Sequence, residues 1–468
     1  MSQSEYASGW AANEAPNPTS LSAVLGCAGF EPLEESVVTG AAEIADGLSS
    51  LLDAWRVLKR DAPEPNVSLA FRFLCWEQTV SESARQMEQP ILQLARWPAG
   101  RRFATQLSHD IDQIHDRELF RWLGDINHLR RHITSGERAH PRQCIRRILR
   151  PAFRPRDPFG QFESIRRIEG KHGWRSTFFL LEDKYWGRLG GRFNWEDPVF
   201  RRISEFLLSE GCELGIHGSA YEHVNPAWWD AKVSRFRQLY GCAPLGSRNH
   251  YLTLDVPESW RVQATGGLIY DSTFGHPARL GSPGGFCFPF AVPGLKARDG
   301  RDFIQQPLSI MDTTLFRYQN LDYQGAMEAS LKVLEQVRDT GGLATLLWHN
   351  NFFNEEEYIE WEQTYADLLS WLAEEGAWVT TGADIAKWWR ARAGVRIERK
   401  IDECGKTLWI VTAGEPIDDL VLMAHGLAPG QCLISEAATI ASVRDEAPLV
   451  TFSHLAPGQQ AICRVVQS

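Results

Sequence analysis

The chain has 468 residues, 43% of them hydrophobic, which is enough for two or three domains with well-packed cores. Its formal net charge of −10 argues against general nucleic-acid binding, and no stretch reaches the roughly 20 apolar residues that a membrane-spanning helix needs. The nine cysteines are scattered without a Cys-x-x-Cys pair, so the sequence predicts neither a disulfide framework nor a cysteine zinc site.

The first 100 residues divide into two predicted parts. Residues 1–20 are polar and rich in Ser, Asn and Pro, which predicts a disordered N-terminus. They lack the basic-then-apolar order of a signal peptide, which favours a cytoplasmic location. Residues 21–100 are predicted to form a helical region, because apolar side chains recur at helical spacing within residues 40–60. These side chains are Ile44, Leu48, Leu51, Leu52, Trp55 and Leu58.

Residues 101–395 alternate between short apolar runs and longer amphipathic segments. STFFLL, CELGIH and LATLLWH are typical of buried strands, whereas segments such as AMEASLKVLEQVRDTGG are typical of helices that stop at glycine. This alternation predicts an α/β domain with a parallel sheet and functional residues at the carboxyl ends of its strands. The pattern by itself fits a barrel and an open sheet equally well.

A basic insertion is predicted within this domain at residues 116–157. It places a local positive charge on an acidic chain, which suggests contact with an anionic substrate or phosphate group. The alternative is a solvated helical face. Its arginines include Arg130, Arg131, Arg142, Arg146, Arg147, Arg150, Arg154 and Arg156.

Residues 396–468 differ in sequence pattern from the preceding domain. Short β-type runs such as TLWIVTAG and LVTFSHL are separated by Gly, Pro and Asp turns. This predicts a small β-sandwich-like module. It either binds a sugar or a partner, or serves as a packing appendage.

The residues that suggest chemistry follow predicted strands. Asp110 and Asp112 stand one residue apart after the run Phe103–Leu107, so on a strand both carboxylates point to one face. Two bare carboxylates at close range repel each other, and a divalent metal removes the conflict if one carboxylate binds it and the other acts as a base. Further polar residues at predicted strand ends are His217, Arg248, His250 and His349.

This ordered set resembles the metal-dependent polysaccharide deacetylases, carbohydrate esterase family 4. The resemblance extends from about Phe103 to about Trp389. Its landmarks are SHDID (108–112), RSTFFLL (175–181), ELGIHGS (213–219), GSRNHYL (246–252), YDSTFG (270–275) and LLWHN (346–350). The resemblance implies a distorted (β/α)7 barrel for residues 101–395.

The resemblance also implies roles for individual residues. Asp110 matches the general base that acts on a metal-activated water, and Asp112 matches the carboxylate ligand. His217 matches the first metal histidine, and Arg248 matches the arginine that orients the catalytic aspartate. His349 matches the general acid. Asp271 matches a residue that supports the arginine and the active-site wall.

The third metal ligand departs from the family pattern. The family has a histidine four residues after the first, but this chain has Tyr221 there. His250 is favoured as the replacement because, two residues after Arg248, it shares that residue's face on a strand. His223 is the alternative. Tyr251 and Trp348 adjoin the site in sequence and are expected to form an aromatic, substrate-binding wall.

These features predict a metal-dependent hydrolase of carbon–nitrogen, non-peptide bonds that belongs to carbohydrate metabolism. An N-deacetylase acting on an N-acetylated amino sugar, or on a glycoconjugate or natural-product precursor, is the first expectation. A hydrolase of a non-sugar amide or cyclic imide and a catalytically silent carbohydrate-binding protein are the alternatives. One divalent ion is expected, with zinc first and cobalt, nickel, manganese or iron as alternatives. The expected partner is a small-molecule or glycan substrate, with an anionic substrate left open.

Overall fold

A computed structural model of the chain describes residues 35–58, 68–86, 90–114, 126, 130, 158–182, 194–354, 358–436, 439–444 and 447–467. The predicted disordered segment 1–20 lies outside these residues. The basic insertion 116–157 does too, except for positions 126 and 130. Across the described part of the chain, none of the helices combines the length and apolar character needed to cross a membrane.

The described helices are α1 (Glu35–Leu58), α2 (Leu69–Gln86), α3 (Pro158–Gly170), α4 (Pro198–Ser209), α5 (Pro226–Tyr240), α6 (Glu258–Gly266), α7 (Tyr323–Thr340), α8 (Ile359–Glu374) and α9 (Gly382–Ala393). The first eleven strands are β1 (Ile91–Leu94), β2 (Ala104–Ile111), β3 (Thr177–Leu181), β4 (Glu213–Gly218), β5 (Gly246–Asn249), β6 (Tyr270–Asp271), β7 (Phe290–Lys296), β8 (Asp302–Gln305), β9 (Ile310–Met311), β10 (Leu343–Leu347) and β11 (Trp378–Thr380). The last seven are β12 (Arg396–Ile401), β13 (Thr407–Thr412), β14 (Ile417–His425), β15 (Gln431–Ser435), β16 (Thr439–Arg444), β17 (Ala447–Leu455) and β18 (Gln460–Gln467).

The central sheet has the strand order β7-β8-β6-β5-β4-β3-β2-β10-β9, and β11 pairs with the first half of β2. Every neighbouring pair is parallel except β7 with β8. Strands β3 and β10 are buried along their whole length, as expected for a parallel sheet covered on both faces. The predicted fold class, α/β with a mostly parallel sheet, is therefore confirmed.

The helices around this sheet begin and end at residues suited to those positions. Helix α5 starts at Asn225, whose side chain accepts from two backbone N–H groups, and it stops at Gly241 in the left-handed region with φ of 69°. Helix α7 is capped in the same way by Asp322 and Gly341. Because these residues end the helices, the chain can turn back to the sheet, where the strands that follow, β5 and β10, run parallel to their neighbours.

The helical N-terminal region packs against the central domain. The apolar positions Ile44, Leu48, Leu51, Leu52 and Trp55 of α1 are buried. The Trp55 ring lies 4.5 Å from that of Phe274, measured between centroids. The predicted helical periodicity therefore corresponds to a face that covers the domain core.

The seven C-terminal strands, together with β1, form two antiparallel four-stranded sheets, in the orders β1-β14-β17-β16 and β12-β13-β18-β15. The predicted all-β region is thus present. Burial alternates along β13, where Trp409 and Val411 face inward, as in a sheet with one covered face. Strand β1 precedes the central domain in the chain, yet it pairs with β14. The first hundred residues and the C-terminal region therefore share a sheet.

Candidate metal centre and active site

Polar side chains converge at the carboxyl ends of five parallel strands. Since β2, β4, β5, β9 and β10 run in one direction, their ends meet at the same edge of the sheet. In the register of β4 and β5, His217 lies directly beside Arg248. The side chains at this edge are Asp110 and Asp112 from the end of β2, His217 of β4, Arg248 of β5, Asp312 after β9 and His349 after β10.

Asp110 is held by Arg248. The fully buried guanidinium of Arg248 donates to Asp110 through a 2.9 Å bond between Nη1 and Oδ1. It also donates to the backbone carbonyl and the hydroxyl of Ser272, each at 3.0 Å, and it lies over the ring of Phe179. Arg248 is therefore fixed on several sides, which sets the position of the Asp110 carboxylate.

Asp112, His217 and His250 form a cluster with the composition of a divalent-metal site. One ligand atom from each residue lies within 4.8 Å of the others. The Asp112 oxygens lie 3.4 Å from Nε2 of His217 and 3.6 Å from Nε2 of His250. Two imidazoles and one carboxylate are a usual donor set for zinc and related metals.

Unpartnered atoms and a fixed tautomer support this interpretation. His217 Nδ1 lies 2.7 Å from the carbonyl oxygen of Arg248, which can only accept, so Nδ1 carries the proton. In the neutral form of His217, the lone pair is therefore on Nε2. Nε2 of His217 and Oδ1 of Asp112 are both buried, and neither has a hydrogen-bond partner among the residues that the structure describes. Two acceptors facing each other across 3.4 Å repel unless a proton or a metal cation lies between them, and the buried donor set fits a metal.

The charge state of Asp112 suits a ligand. Burial alone raises the pKa of a carboxyl group, but the surrounding imidazoles, above all that of His250, hold the pKa of Asp112 well below its usual range. The group is thus an anion at neutral pH.

His349 is oriented by Asp312. The carboxylate of Asp312 accepts from the backbone N–H of His349 at 2.6 Å and from its Nδ1 at 2.8 Å. Nε2 of His349 faces the cluster, 3.9 Å from Oδ2 of Asp112. Burial lowers the pKa of an imidazole, but the Asp312 carboxylate reverses this and raises the pKa of His349 to about 9. His349 therefore carries a proton at neutral pH.

The two alternatives for the third ligand occupy different places. His250 comes into the cluster on a short 3-10 turn, His250–Leu252, after β5 has ended at Asn249. The expected strand geometry is therefore wrong, although the side chain does reach the cluster. His223 lies outside it, with Nδ1 3.1 Å from the carbonyl oxygen of Ala220 and Nε2 3.2 Å from Asp255.

Asp271 supports Arg248 indirectly, through neighbouring residues, rather than by a hydrogen bond of its own. Its carboxylate accepts from Thr273, Gln263 and Trp260. The hydroxyl of Thr273 in turn accepts from the backbone N–H of Asn249. Asp271 therefore holds the segment whose next residue, Ser272, bonds the arginine. Burial raises the pKa of Asp271, as expected for a structural carboxyl group.

The aromatic wall differs from expectation at one of its two positions. Tyr251 lines the pocket above the cluster and is 41% exposed. Trp348 is fully buried and packs on Tyr365, because along the β10 end Leu347 and His349 face the pocket and the residue between them faces away. Phe352 takes the expected place of Trp348 in the wall.

Behind the site, His109 belongs to a buried network. Its Nδ1 donates to the carbonyl of Trp348 at 2.8 Å, and its Nε2 lies 2.9 Å from Glu169 of α3. Glu169 also accepts from the Tyr365 hydroxyl at 2.7 Å. His109 thereby connects the strand that carries Asp110 to the strand end that carries His349.

The sequence analysis did not identify Glu169, Ser272 or Asp312 as site residues. Of the three, Asp312 alone had a recognisable signal, because it directly follows an apolar run.

No family model and no curated protein matches this chain. Among solved structures it is similar to a protein from Mycobacterium smegmatis described as a polysaccharide deacetylase, with 18% identity over 63% of this chain and 93% of that one and a TM-score of 0.43. The chitin deacetylase of Colletotrichum lindemuthianum shows 14% identity over 62% and 89% of the two chains, with a TM-score of 0.32. A CE4 family pseudoenzyme from Bacillus anthracis shows 9% identity over 62% and 66%, with a TM-score of 0.32. The neighbours thus include the family that the motifs resemble, while their low identities and TM-scores leave the chemistry of this chain to its own side chains.

Proposed function

We propose that this protein is a metal-dependent amide hydrolase, an N-deacetylase of an N-acetylated amino sugar or of a glycoconjugate or natural-product precursor that carries one. The observation that carries the proposal is the pair of buried, unpartnered acceptors, Nε2 of His217 and Oδ1 of Asp112, directly beside the Arg248–Asp110 pair. A metal position and a fixed carboxylate in one pocket are what amide hydrolysis by an activated water requires.

Asp112, His217 and His250 would hold the metal. When bound there, a divalent ion would polarise the amide carbonyl and lower the pKa of a water molecule at its open position. Zinc is the first expectation for this donor set, with cobalt, nickel, manganese and iron as alternatives.

Asp110 would act as the general base. It is paired with the guanidinium of Arg248, and its Oδ2 lies 3.6 Å from Nε2 of His217, so it faces the place where water would be activated. His349 would give its proton to the leaving nitrogen, because Asp312 holds Nδ1 and leaves the protonated Nε2 facing the pocket.

The pocket fits a small molecule or the end of a larger one. Its volume is about 360 Å³, within the range of small-ligand sites. Its wall carries the aromatic rings of Tyr251, Tyr318 and Phe352, and such faces pack well on sugar rings. These features support a substrate with a ring close to the scissile amide.

The test combines metal analysis with acetate release. The full chain, loaded with zinc or with each alternative metal, is assayed on N-acetylated amino sugars, on simple acetylated amines and on a cyclic imide. Release from the sugars alone supports the proposal, whereas turnover of the non-sugar amides or the imide alone favours the same-fold hydrolase. Binding of one metal ion and of sugar without any turnover would instead favour a silent carbohydrate-binding protein.

A further inference from the structure

We propose that Arg317 binds an anionic group of the substrate, a carboxylate or a phosphate, and so makes this pocket selective for acidic N-acylated molecules. The inference rests on the proposed function, since it concerns the same pocket. It names a class of substrate that the catalytic residues alone do not specify.

Arg317 belongs to a short segment that lies against the catalytic residues. The segment Thr314–Tyr318 forms a single π-helical turn that begins two residues after Asp312, the partner of His349. Both Arg317 and Tyr318 line the pocket that contains Asp110, Asp112 and His349. Single π-turns are often found at functional sites, where they direct side chains that a regular helix would not.

Aromatic rings hold the Arg317 guanidinium in place. Its central carbon lies 5.0 Å from the ring centroid of Phe352 and 5.8 Å from that of Trp361. The Phe352 ring also contacts the imidazole of His349, with 5.9 Å between centroids. Stacking on rings occupies the face of a guanidinium and leaves the N–H groups on its edge available to bind a planar or tetrahedral anion.

The charge of Arg317 has no carboxylate partner in the part of the chain that the structure describes. Other arginines are paired there: Arg248 with Asp110, and Arg301 and Arg390 with Asp299. Asp110 already accepts from Arg248, and Asp112 faces the histidines. Arg317 is therefore a cation in a ligand pocket that forms no salt bridge with any described residue.

The aromatic residues of the pocket wall indicate that the ligand also contains a ring. Tyr251 and Tyr318 are 41% and 55% exposed, so two rings are open to a ligand that enters the pocket. An N-acylated molecule with a ring and an oxyanion would meet the metal position, these rings and Arg317 together. Phosphorylated or carboxylated amino sugars have this composition.

The experiment measures binding, independently of turnover. Full-length, zinc-loaded protein with Asp110→Asn is titrated calorimetrically with matched pairs of probes. The pairs are N-acetylglucosamine with its 6-phosphate, and N-acetylglucosamine with N-acetylmuramic acid. The same titrations are made after adding Arg317→Gln or the control Arg298→Gln, which removes an exposed charge paired with Asp230 outside the pocket.

We expect at least one anionic probe to bind about ten- to a hundredfold more tightly than its neutral partner, the usual gain from a charge-assisted hydrogen bond. Arg317→Gln should remove this preference and leave the affinity for the neutral partner unchanged, while Arg298→Gln should keep it. The phosphate and carboxylate pairs identify which oxyanion is preferred.

Equal affinity for charged and neutral probes, or no binding by any of them, would overturn the inference. So would a preference that survives Arg317→Gln, because the metal would then bind the anion. The proposed function is judged separately by acetate release from the parent protein. Turnover without an Arg317-dependent preference rejects only the anion site, and the preference without turnover rejects only the hydrolase.

Discussion

The contacts of His250 and His223 distinguish the two candidates for the third metal ligand. His250 faces Asp112, whereas His223 is bonded to Ala220 and Asp255, and both lie near His217 in sequence or space. The family pattern places this ligand one helical turn after the first histidine, where this chain has Tyr221. We therefore infer that His250, on the turn after β5, takes the place of the histidine that is missing at position 221.

This difference predicts the outcome of four substitutions on metal content. Asp112→Ala, His217→Ala and His250→Ala should each lose the bound ion, because a three-ligand site rarely keeps its metal with two. His223→Ala should retain it. Metal is measured by mass spectrometry on dialysed protein. Full metal in His250→Ala together with loss in His223→Ala would reverse the assignment.

Asp110 is predicted to act on a proton rather than on the metal. Asp110→Asn keeps the shape of the side chain but removes its basicity, so we expect bound metal to remain and turnover to fall by roughly a hundredfold or more. Acetate release and metal content are measured on the same preparation. Asp230→Asn, an exposed control, should behave as the parent. Normal turnover in Asp110→Asn would remove this residue from the mechanism.

At the level of elements, the start of β4 is joined to its neighbours by a buried carboxyl group. Glu213 accepts from the hydroxyl of Thr177 on β3, from the backbone N–H of Ala383 in α9 and from the hydroxyl of Tyr270 on β6. Burial raises the pKa of Glu213 to about 7, despite these bonds, which lower it. In the folded protein the protonated form is therefore favoured below about pH 7.

This pKa predicts a dependence of stability on pH. Because the folded protein holds the proton more tightly than the unfolded chain, the stabilisation is complete below about pH 4.5 and is lost as the pH rises through about 7. The rise in the pKa from 4.5 to about 7 corresponds to about 3 kcal/mol. Glu213→Gln mimics the protonated group, so it should gain stability over the parent at pH 8 and little at pH 5.

Urea unfolding at both pH values measures the effect of Glu213→Gln. The exposed Glu205→Gln serves as the control and should follow the parent at each pH. A Glu213→Gln variant with the same pH slope as the parent would show that another group titrates in this range.

Over the whole molecule, the C-terminal sheets complete the packing of the central domain. Leu92 and Leu94 of β1 are buried in the sheet that β14 continues. Arg392 of α9, also buried, donates to the carbonyls of Leu94 and Ala95. The β1 segment thus lies between the C-terminal strands and the last helix of the central domain. These contacts favour the packing role over the sugar-binding role for this region.

Removal of residues 396–468 should therefore destabilise the remaining chain, because it exposes Leu92 and Leu94 and leaves β1 without a partner strand. We expect a lower melting temperature or aggregation of the truncated protein, measured by calorimetry and light scattering. An unchanged melting temperature would show that the C-terminal strands are an independent unit.

Local sequence patterns were sufficient to predict the strands and helices of the central sheet and several of the candidate site residues. Alternation along a strand placed Asp110 and Asp112 on one face, and the apolar runs and glycine stops marked the strands and helices of the parallel sheet. The motif order then indicated His217, Arg248 and His349 at its carboxyl edge. These features depend on neighbours within a few residues, so they can be recognised in the chain itself.

Tertiary structure decided the remaining features, because each of them depends on residues distant in sequence. Asp312 meets His349, and Ser272 meets Arg248, only after strands from different parts of the chain pair in register. The choice of His250 followed from a turn, and the stacking of Arg317 on Phe352 followed from two loops that meet at the pocket. The partner of β1 lies more than three hundred residues later. Periodicity carries no information about such contacts, since they are selected by packing of the folded chain.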